Sequence, residues 1–210
     1  MTRALVTVDG VDGSGKTTLA RELVRRLARA GLEALRVGVD DFRRAVDWAA
    51  GDETALYYER YFGLEAIGAV LRSFAADQPT LTLPSFDEGR GIPGPDRVVT
   101  AGSDAVLVLE GVFIRRVAFP RIPVAHLYLA VPPDEARERL VARDVARGRS
   151  RAEVVRRLDR RYVPGQRRYH AECAPRDRAD MVLECAGPLA WRTVRAEPNR
   201  LAHRVAQLLA

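Results

Sequence analysis

The chain has 210 residues, of which 47% are hydrophobic and 30% are charged. This length and composition fit one folded domain and exclude collagen-like, coiled-coil and disordered proteins. Two cysteines, Cys173 and Cys185, are too few for a disulfide framework and lack the spacing of a zinc site. The first ten residues lack the pattern of a secretory signal, and no apolar run is long enough to span a membrane. We therefore expect a cytoplasmic protein without a membrane partner.

The positive charge is concentrated in one part of the chain. The formal net charge is +6, and residues 134–178 contain 14 arginines against eight acidic residues. Such a surface attracts polyanions, which include nucleic acids and the phosphates of a nucleotide. Lys16 is the only lysine, which indicates that this position requires an amine.

The first half of the chain alternates apolar runs with helical patterns. We predict strands and helices there from periodicity and from glycine and aspartate stops, in this order: strand 4–8, helix 17–30, strand 34–39, and one or two helices within 53–76. Short strands at 80–83 and 97–100 flank the segment 86–95, which is rich in glycine and proline. This pattern predicts a projecting hairpin.

The second half continues the alternation. Its predicted elements are strands 106–109, 126–131 and 181–183, and helices 134–147, 151–161 and 199–209. Alternating strands and helices favour an α/β fold with a mostly parallel, five-stranded sheet and helices on both faces. Ligands of such folds bind at the carboxyl ends of the strands.

The segment between the first strand and the first helix carries the clearest motif. It reads GVDGSGKT at 10–17 and matches G-x-x-x-x-G-K-[ST] in the context that this pattern requires. Glycines let backbone N–H groups face phosphate oxygens, the lysine reaches the β and γ phosphates, and the threonine hydroxyl binds Mg²⁺. We therefore predict an ATP site with Mg²⁺ as cofactor, formed by Gly10, Asp12, Gly13, Ser14, Gly15, Lys16, Thr17 and Thr18.

Three acidic residues follow predicted strands and should lie at the same edge as this loop. Asp40 and Asp41 come after the second strand, and Glu110 ends the strand at 106–109. One carboxylate that orients an acceptor hydroxyl is a sufficient base for phosphoryl transfer. We assign this role to Asp40, with Asp41 as the alternative, and expect Glu110 and Asp40 to hold Mg²⁺ through water. A turn or helix cap is the competing explanation for the aspartate pair.

Arginines recur on the first helix of the basic region. Arg139, Arg143 and Arg147 are spaced by four residues, and Arg149 follows Gly148. One helix face can thus present several guanidinium groups to a triphosphate. We predict an arginine-rich lid, with catalytic roles for Arg139 and Arg143 beside Lys16, and ATP-binding roles for Arg147 and Arg149. A solvated face with pairs such as Glu135–Arg139 is the alternative.

These motifs, in this order, resemble the uridine kinase and phosphoribulokinase family of P-loop kinases. The resemblance covers about residues 3–185 and rests on GVDGSGKTT at 10–18, VDDF at 39–42, LPSFD at 83–87, VLVLEG at 106–111, RLVARDVARGR at 139–149 and RAD at 178–180. It implies one P-loop kinase domain over 1–210, with Mg-ATP as phosphoryl donor and Asp40 as base. It also implies a lid at about 134–162 and an acceptor-side insertion at about 43–100.

The resemblance further implies a nucleoside or related riboside as the acceptor. Candidate acceptor-binding residues are Asp41, Phe42, Trp48, Tyr58, Phe86 and Asp87. The chain departs from nucleoside-phosphorylating relatives in three places: Glu88 stands where an aromatic is expected, GRGIPG at 89–94 lacks a histidine, and YYERYFGLEAI at 57–67 lacks an aspartate.

Two alternatives therefore stay open. The acceptor could be another alcohol, such as a pantothenate-like, sugar or antibiotic-like compound. A P-loop regulatory or nucleic-acid-stimulated ATPase is the alternative from a different class, although the lid-like arginine spacing favours a kinase, so we do not expect nucleic acid as a partner. The sequence leaves the oligomeric state open.

Overall fold

The computed structural model describes residues 3–187 and 189–209. In chain order, the strands are β1 (Ala4–Asp9), β2 (Ala34–Gly38), β3 (Thr80–Asp87), β4 (Ile92–Thr100), β5 (Val106–Gly111), β6 (Val124–Ala130), β7 (Met181–Gly187) and β8 (Ala190–Ala196). The α-helices are α1 (Lys16–Arg29), α2 (Glu53–Ala55), α3 (Leu64–Ala75), α4 (Pro133–Ala146), α5 (Arg151–Arg157), α6 (Val163–Cys173) and α7 (Arg200–Leu209).

The central sheet has the strand order β2-β5-β1-β6-β7-β8. The first five of these strands are parallel, as predicted, and β8 adds an antiparallel edge next to β7. The sequence analysis missed β8 because its residues, AWRTVRA, mix polar and apolar side chains without a clear period, and most of them are exposed. That pattern is typical of an edge strand and not of a buried one.

Strands β1 and β5 explain two unbroken apolar runs of the sequence, one near its start and one near its middle. All six residues of each strand are buried, because helices cover both faces of a parallel sheet. Their register pairs Val8 with Glu110 and Asp9 with Gly111. The glycine-rich loop after β1 and the carboxylate at the end of β5 therefore lie side by side.

Two apolar cores lie on the two faces of this sheet. On one face α1 and α7 contribute residues such as Leu19, Leu23 and Val205. On the other face α3 packs with an aromatic group that includes Tyr57 and Phe113. The predicted fold, a parallel α/β sheet with helices on both faces, is confirmed.

One predicted helix boundary was wrong. The helix predicted at 151–161 continues through a π-helical turn, Leu158–Tyr162, into α6. Pro164 lies in the first turn of α6, where proline is tolerated. The region 53–76 consists of α2, a second π-helical turn at Leu56–Arg60, and α3.

The projecting hairpin is longer than the sequence suggested. Strands β3 and β4 pair over most of the segment 86–95, with a register shift between Leu83 and Ser85. The prolines of β4 stand on a two-stranded ribbon whose edges are open, where a missing N–H is tolerated. Within the described residues, no helix combines the length and apolar character needed to cross a bilayer.

Candidate functional site

The glycine-rich loop has a backbone that only glycine adopts easily. Gly13 and Gly15 have φ angles of 83° and 97°, in the left-handed region. A Cβ atom on Gly13 would lie 2.2 Å from the carbonyl oxygen of Ala136. The loop is therefore packed directly against the first turns of α4, which joins the two segments that the sequence analysis assigned to phosphate binding.

Polar groups in this loop converge on the N-terminus of α1. Lys16 is buried, and its Nζ donates to the carbonyl oxygen of Val11 at 2.7 Å. Ser14 Oγ is buried and has no hydrogen-bond partner among the described residues, whereas Thr18 is exposed on the first helical turn. An unsatisfied buried hydroxyl, an amine and free helical N–H groups in one loop suit a phosphate ligand.

Thr17 connects the loop to the end of β5. Its Oγ1 donates to Oε2 of Glu110 at 3.1 Å, while Arg36 Nη1 donates to Oε1 of Glu110 at 2.7 Å. Burial raises the pKa of Glu110, and the nearby charge of Lys16 opposes this shift. Arg36, which the sequence analysis missed, neutralises a buried carboxylate that would otherwise be costly.

The donor set of this site fits Mg²⁺. Thr17, Glu110 and Asp40 line one cleft and offer hydroxyl and carboxylate oxygens, which Mg²⁺ prefers. Among the described residues, no three His, Cys, Asp or Glu side chains are grouped closely enough to hold a metal by themselves. The site therefore suits a cation that one or two protein carboxylates bind together with the phosphates of a substrate.

Asp40 and Asp41 lie on a short 3₁₀ turn, Val39–Phe42, directly after β2. Both line the same cleft as Thr17 and Glu110, which has a volume of about 240 Å³. Asp40 lies 3.2 Å from Arg43 and keeps 67% of its side chain exposed. Asp41 forms an ion pair with Arg97 at 3.0 Å and is less exposed. Asp40 is thus the more accessible of the two carboxylates.

Three of the four predicted lid arginines line this cleft, namely Arg143, Arg147 and Arg149. Arg149 forms ion pairs with Asp144 at 2.9 Å and with Glu88 at 3.2 Å. Arg139 is the exception, because it pairs with Glu135 on the same helix and does not line the cleft. For Arg139 the structure therefore matches the solvated-face alternative, and its catalytic role stays a prediction.

Glu88 connects the hairpin to these arginines. It lies 3.2 Å from Arg149, 3.5 Å from Arg147 and 3.7 Å from Arg43. Although burial acts in the opposite direction, Arg43 and Arg149 hold the pKa of Glu88 below its usual value. The residue that replaces an expected aromatic is therefore an ionised carboxylate among arginines.

A larger cavity of about 600 Å³ adjoins this cleft and shares Arg43, Tyr61 and Glu88 with it. Trp48 and Phe86, two predicted acceptor-binding residues, both line this cavity. The guanidinium of Arg161 stacks on Trp48, 3.8 Å from the ring centroid. We call this cavity the side pocket.

Three other predicted acceptor-binding residues lie elsewhere. Phe42 and Tyr58 are buried in the aromatic core, and Tyr58 donates to Glu172 at 2.5 Å, away from the cleft. Asp87 caps the hairpin turn, where its Oδ1 accepts from the backbone N–H of Arg90 at 3.0 Å. The π-helical turn directs Tyr57, and not Tyr58, toward the cleft, and the acceptor-binding role of Tyr58 stays a prediction.

Asp12 holds two elements against the glycine-rich loop. Its Oδ2 accepts from Tyr57 Oη at 2.9 Å and from Gln166 Nε2 at 2.8 Å. Tyr57 belongs to the first π-helical turn and Gln166 to α6, so the loop is tied to both walls of the cleft. The sequence contained no signal for these partners beyond the aromatic composition of residues 57–62.

Asp9 forms a second buried carboxylate site behind the loop. It accepts from the N–H of Gly10 at 2.7 Å and from the hydroxyl of Tyr169. Burial raises the pKa of Asp9 to about 6, although these hydrogen bonds and the charge of Lys16 act in the opposite direction. This carboxylate ties α6 to the end of β1.

The fold and the glycine-rich loop together define a protein with the fold of the P-loop kinases. No protein-family model matches the chain, and no curated protein matches it. Among solved structures, "a Possible Uridine Kinase" from Bacillus stearothermophilus is similar, with 25% identity, a TM-score of 0.63 and coverage of 87% of this chain and 89% of that chain.

A candidate fructose transport system kinase from Silicibacter sp. TM1040 is similar to the same extent. It has 24% identity and a TM-score of 0.64, with coverage of 81% of this chain and 85% of that chain. The fold that the resemblance implied is confirmed by these two structures. The Bacillus structure also supports the broad class of small-molecule kinases and leaves the acceptor open.

Proposed function

We propose that this protein is an ATP-dependent kinase that transfers the γ-phosphoryl group to a hydroxyl of a small molecule. One observation carries this proposal. Thr17, Glu110 and Asp40 line one cleft of about 240 Å³ at the carboxyl ends of β1, β2 and β5, together with lid arginines, and the buried Lys16 directly precedes Thr17 at the start of α1. The finer proposal, from the resemblance, is that the acceptor is a nucleoside or a related riboside.

In this mechanism the loop 10–17 binds the phosphates of ATP. Backbone N–H groups at the start of α1 and the hydroxyl of Ser14 donate to phosphate oxygens, and Lys16 neutralises charge on the β and γ phosphates. Arg143, Arg147 and Arg149, on the lid at 134–162, stabilise charge that develops during transfer. Phosphoryl transfer depends mainly on such positioning and charge stabilisation.

Thr17 and Glu110, with Asp40, are the residues that would hold Mg²⁺ beside the phosphates. When bound, this ion screens phosphate charge and favours the in-line geometry. Arg36 keeps Glu110 oriented toward Thr17 by holding its other oxygen at 2.7 Å. The segment 43–100 supplies the acceptor side of the site.

Asp40 activates the acceptor. Its exposed carboxylate accepts the proton of the acceptor hydroxyl while the hydroxyl oxygen attacks the γ-phosphorus atom and ADP leaves. Arg43, 3.2 Å away, holds the carboxylate in place. Asp41, which is held by Arg97, is the alternative base.

The test is Mg²⁺-dependent ADP formation from ATP with a panel of nucleosides, other ribosides, sugars and pantothenate. Mass spectrometry identifies the phosphorylated product. Lys16→Ala should abolish turnover and leave the fold intact, whereas Arg29→Ala, at the far end of α1, should have no effect. Substantial turnover by Lys16→Ala would contradict the proposed role of the glycine-rich loop. Hydrolysis that only nucleic acid stimulates would contradict the kinase proposal and favour a P-loop ATPase.

A further inference from the structure

The side pocket is unusually rich in arginine. Seven arginines and a single acidic residue, Glu88, line its volume of about 600 Å³. The arginines are Arg43, Arg44, Arg90, Arg147, Arg149, Arg157 and Arg161. They come from separate segments of the chain, so the concentration of charge is a product of the tertiary fold.

Five of these arginines are paired with carboxylates of the protein. Arg43 pairs with Asp40, and Arg147 and Arg149 pair with Glu88. On the opposite wall, Arg157 pairs with Glu153, and Arg161 pairs with Glu53. Each of the five therefore has a carboxylate partner within the protein, although Glu88 is shared by Arg147 and Arg149.

Arg44 and Arg90 differ from the other five. Within residues 3–187 and 189–209, neither forms an ion pair with a carboxylate, and both are exposed. Their backbones are nevertheless fixed: the N–H of Arg44 donates to the carbonyl oxygen of Tyr61 at 2.8 Å, and the N–H of Arg90 donates to Asp87 at 3.0 Å. Two arginines without an ion-pair partner among the described residues therefore line the same pocket.

Aromatic side chains also line the pocket. Trp48 and Tyr61 are in edge-to-face contact at 5.1 Å, and Phe86 lies 6.4 Å from Tyr61. An uncharged ligand could pack on these rings, but it would cover the two unpaired guanidinium groups without offering them an anion, which is unfavourable. A ligand with a phosphate or carboxylate group would satisfy both, because guanidinium groups bind these anions through paired hydrogen bonds.

We propose that the acceptor is an anionic hydroxyl compound whose phosphate or carboxylate group is bound by Arg44 and Arg90 in the side pocket. This inference rests on the proposed kinase function, and it favours a charged riboside or another anionic hydroxyl compound over an uncharged nucleoside as the acceptor. The hydroxyl of such a compound points toward Asp40 in the adjoining cleft, because the two cavities share Arg43 and Glu88.

Trp48 provides a direct readout of the pocket. Trp191, the second tryptophan, is far along the chain on β8, so Trp191→Phe leaves Trp48 as the only tryptophan. The quenching of Trp48 fluorescence is measured as each compound is added. The compounds form two matched pairs of a charged and an uncharged member: ribose 5-phosphate with ribose, and gluconate with glucose. We expect at least one charged member to bind at least tenfold more tightly than its uncharged partner, and comparison of the two pairs distinguishes a phosphate from a carboxylate.

The double variant Arg44→Gln, Arg90→Gln should remove this preference. Both side chains are exposed, so the fold should be retained, and the exposed pair Arg21→Gln, Arg29→Gln on α1 is the matched control. Equal binding of the charged and uncharged members of both pairs overturns the inference. A charged preference that survives in the double variant overturns it as well.

ADP formation with the same compounds separates this inference from the proposed function. Turnover with a charged compound that falls at least tenfold in the double variant supports both. Turnover with uridine at a kcat/KM at least equal to that of every charged compound supports the kinase and overturns the anionic acceptor. A charged binding preference without ADP from any compound contradicts the kinase proposal alone.

Discussion

At the scale of single residues, Asp40 and Asp41 present two adjacent carboxylates to one cleft with different partners. Asp40 is the more exposed and faces Arg43, whereas Asp41 is held by Arg97 on the hairpin. We expect Asp40→Asn to lower kcat by at least about 100-fold, since it removes the proton acceptor, with little change in ATP affinity. Asp41→Asn should lower kcat by less than about tenfold.

Steady-state kinetics with the acceptor found in the panel, together with nucleotide binding by calorimetry, test this pair. The two variants are matched controls, because they make the same chemical change one residue apart on the same turn. The reverse order of effects would assign the base to Asp41.

A second prediction at this scale concerns the pH dependence of stability that Asp9 causes. Its pKa is about 6 in the folded chain against 3.8 in the unfolded chain, so the folded state binds the proton more tightly. The contribution of Asp9 to the free energy of unfolding is complete below pH 3.8 and is lost as the pH rises through 6. The loss amounts to about 3 kcal/mol.

Urea unfolding at pH 4 and pH 8 tests this linkage. An amide side chain does not titrate. The free energy of unfolding of Asp9→Asn should therefore rise by about 3 kcal/mol relative to that of the wild type when the pH is raised from 4 to 8. Asp96→Asn, on an exposed part of β4, should follow the wild type at both. Parallel stability profiles for Asp9→Asn and the wild type would show that Asp9 titrates normally.

At the scale of elements, the two π-helical turns form opposite sides of the cleft. Leu56–Arg60 places Tyr57 and Leu158–Tyr162 places Tyr162, and the two rings pack with centroids 5.1 Å apart. Each extra residue in a π turn rotates the following side chains relative to an α-helix. Helical periodicity alone therefore assigns the wrong faces in both segments.

The contact between the glycine-rich loop and α4 gives the prediction at this scale. Gly13→Ala combines a positive φ with a Cβ atom 2.2 Å from the carbonyl oxygen of Ala136, so the loop or α4 must move. We expect a loss of about 2–5 kcal/mol in the free energy of unfolding and weaker ATP binding. Gly91→Ala has a similar φ of 70° but no atom within 4 Å.

Gly91→Ala is therefore the matched control, with an expected loss of about 1–2 kcal/mol from strain alone and unchanged ATP binding. Chemical denaturation and nucleotide titration measure both effects. Equal losses of unfolding free energy and of ATP affinity in the two variants would mean that the close contact between Gly13 and α4 contributes to neither.

At the scale of the whole molecule, the aromatic core supports the cleft from below. Phe113 is fully buried and packs edge-to-face on Tyr57 at 5.2 Å, and Tyr57 in turn donates to Asp12 in the glycine-rich loop. Phe113→Ala should lower the free energy of unfolding by about 3–5 kcal/mol. It should also weaken ATP binding, because Tyr57 loses its support.

Phe74→Ala separates these two effects. Phe74 is also fully buried in the same core but packs near Arg3, at the other end of the sheet. We expect a similar loss of stability with unchanged ATP affinity, when both are measured at a temperature at which each variant is folded. Equal weakening of ATP binding in both variants would indicate a general effect of instability.

Much of the fold could be predicted because its signals are local. The apolar runs at β1 and β5 and the loop 10–17 follow from residue type and order, and Glu110 was placed beside Thr17 because parallel strands end at the same edge. The antiparallel strand β8 could not be predicted, since the pattern of an exposed edge strand is weak.

The acceptor side was predicted less well for a physical reason. Trp48 and Phe86 line the side pocket as expected, but Tyr58, Phe42 and Asp87 do not, because aromatic residues serve cores and pockets equally well and aspartate also caps turns. Arg44 gave no distinct signal, since arginine occurs throughout this chain.

The sequence by itself determined the phosphate-binding loop, the order of strands and helices, and the carboxylates that end the strands, because each depends on contiguous residues. Only the tertiary structure decided which side chains share a cavity. The convergence of Arg44 and Arg90 and the hydrogen bond from Tyr57 to Asp12 depend on packing between distant segments. Local sequence patterns do not encode those contacts, because they arise only when the elements pack.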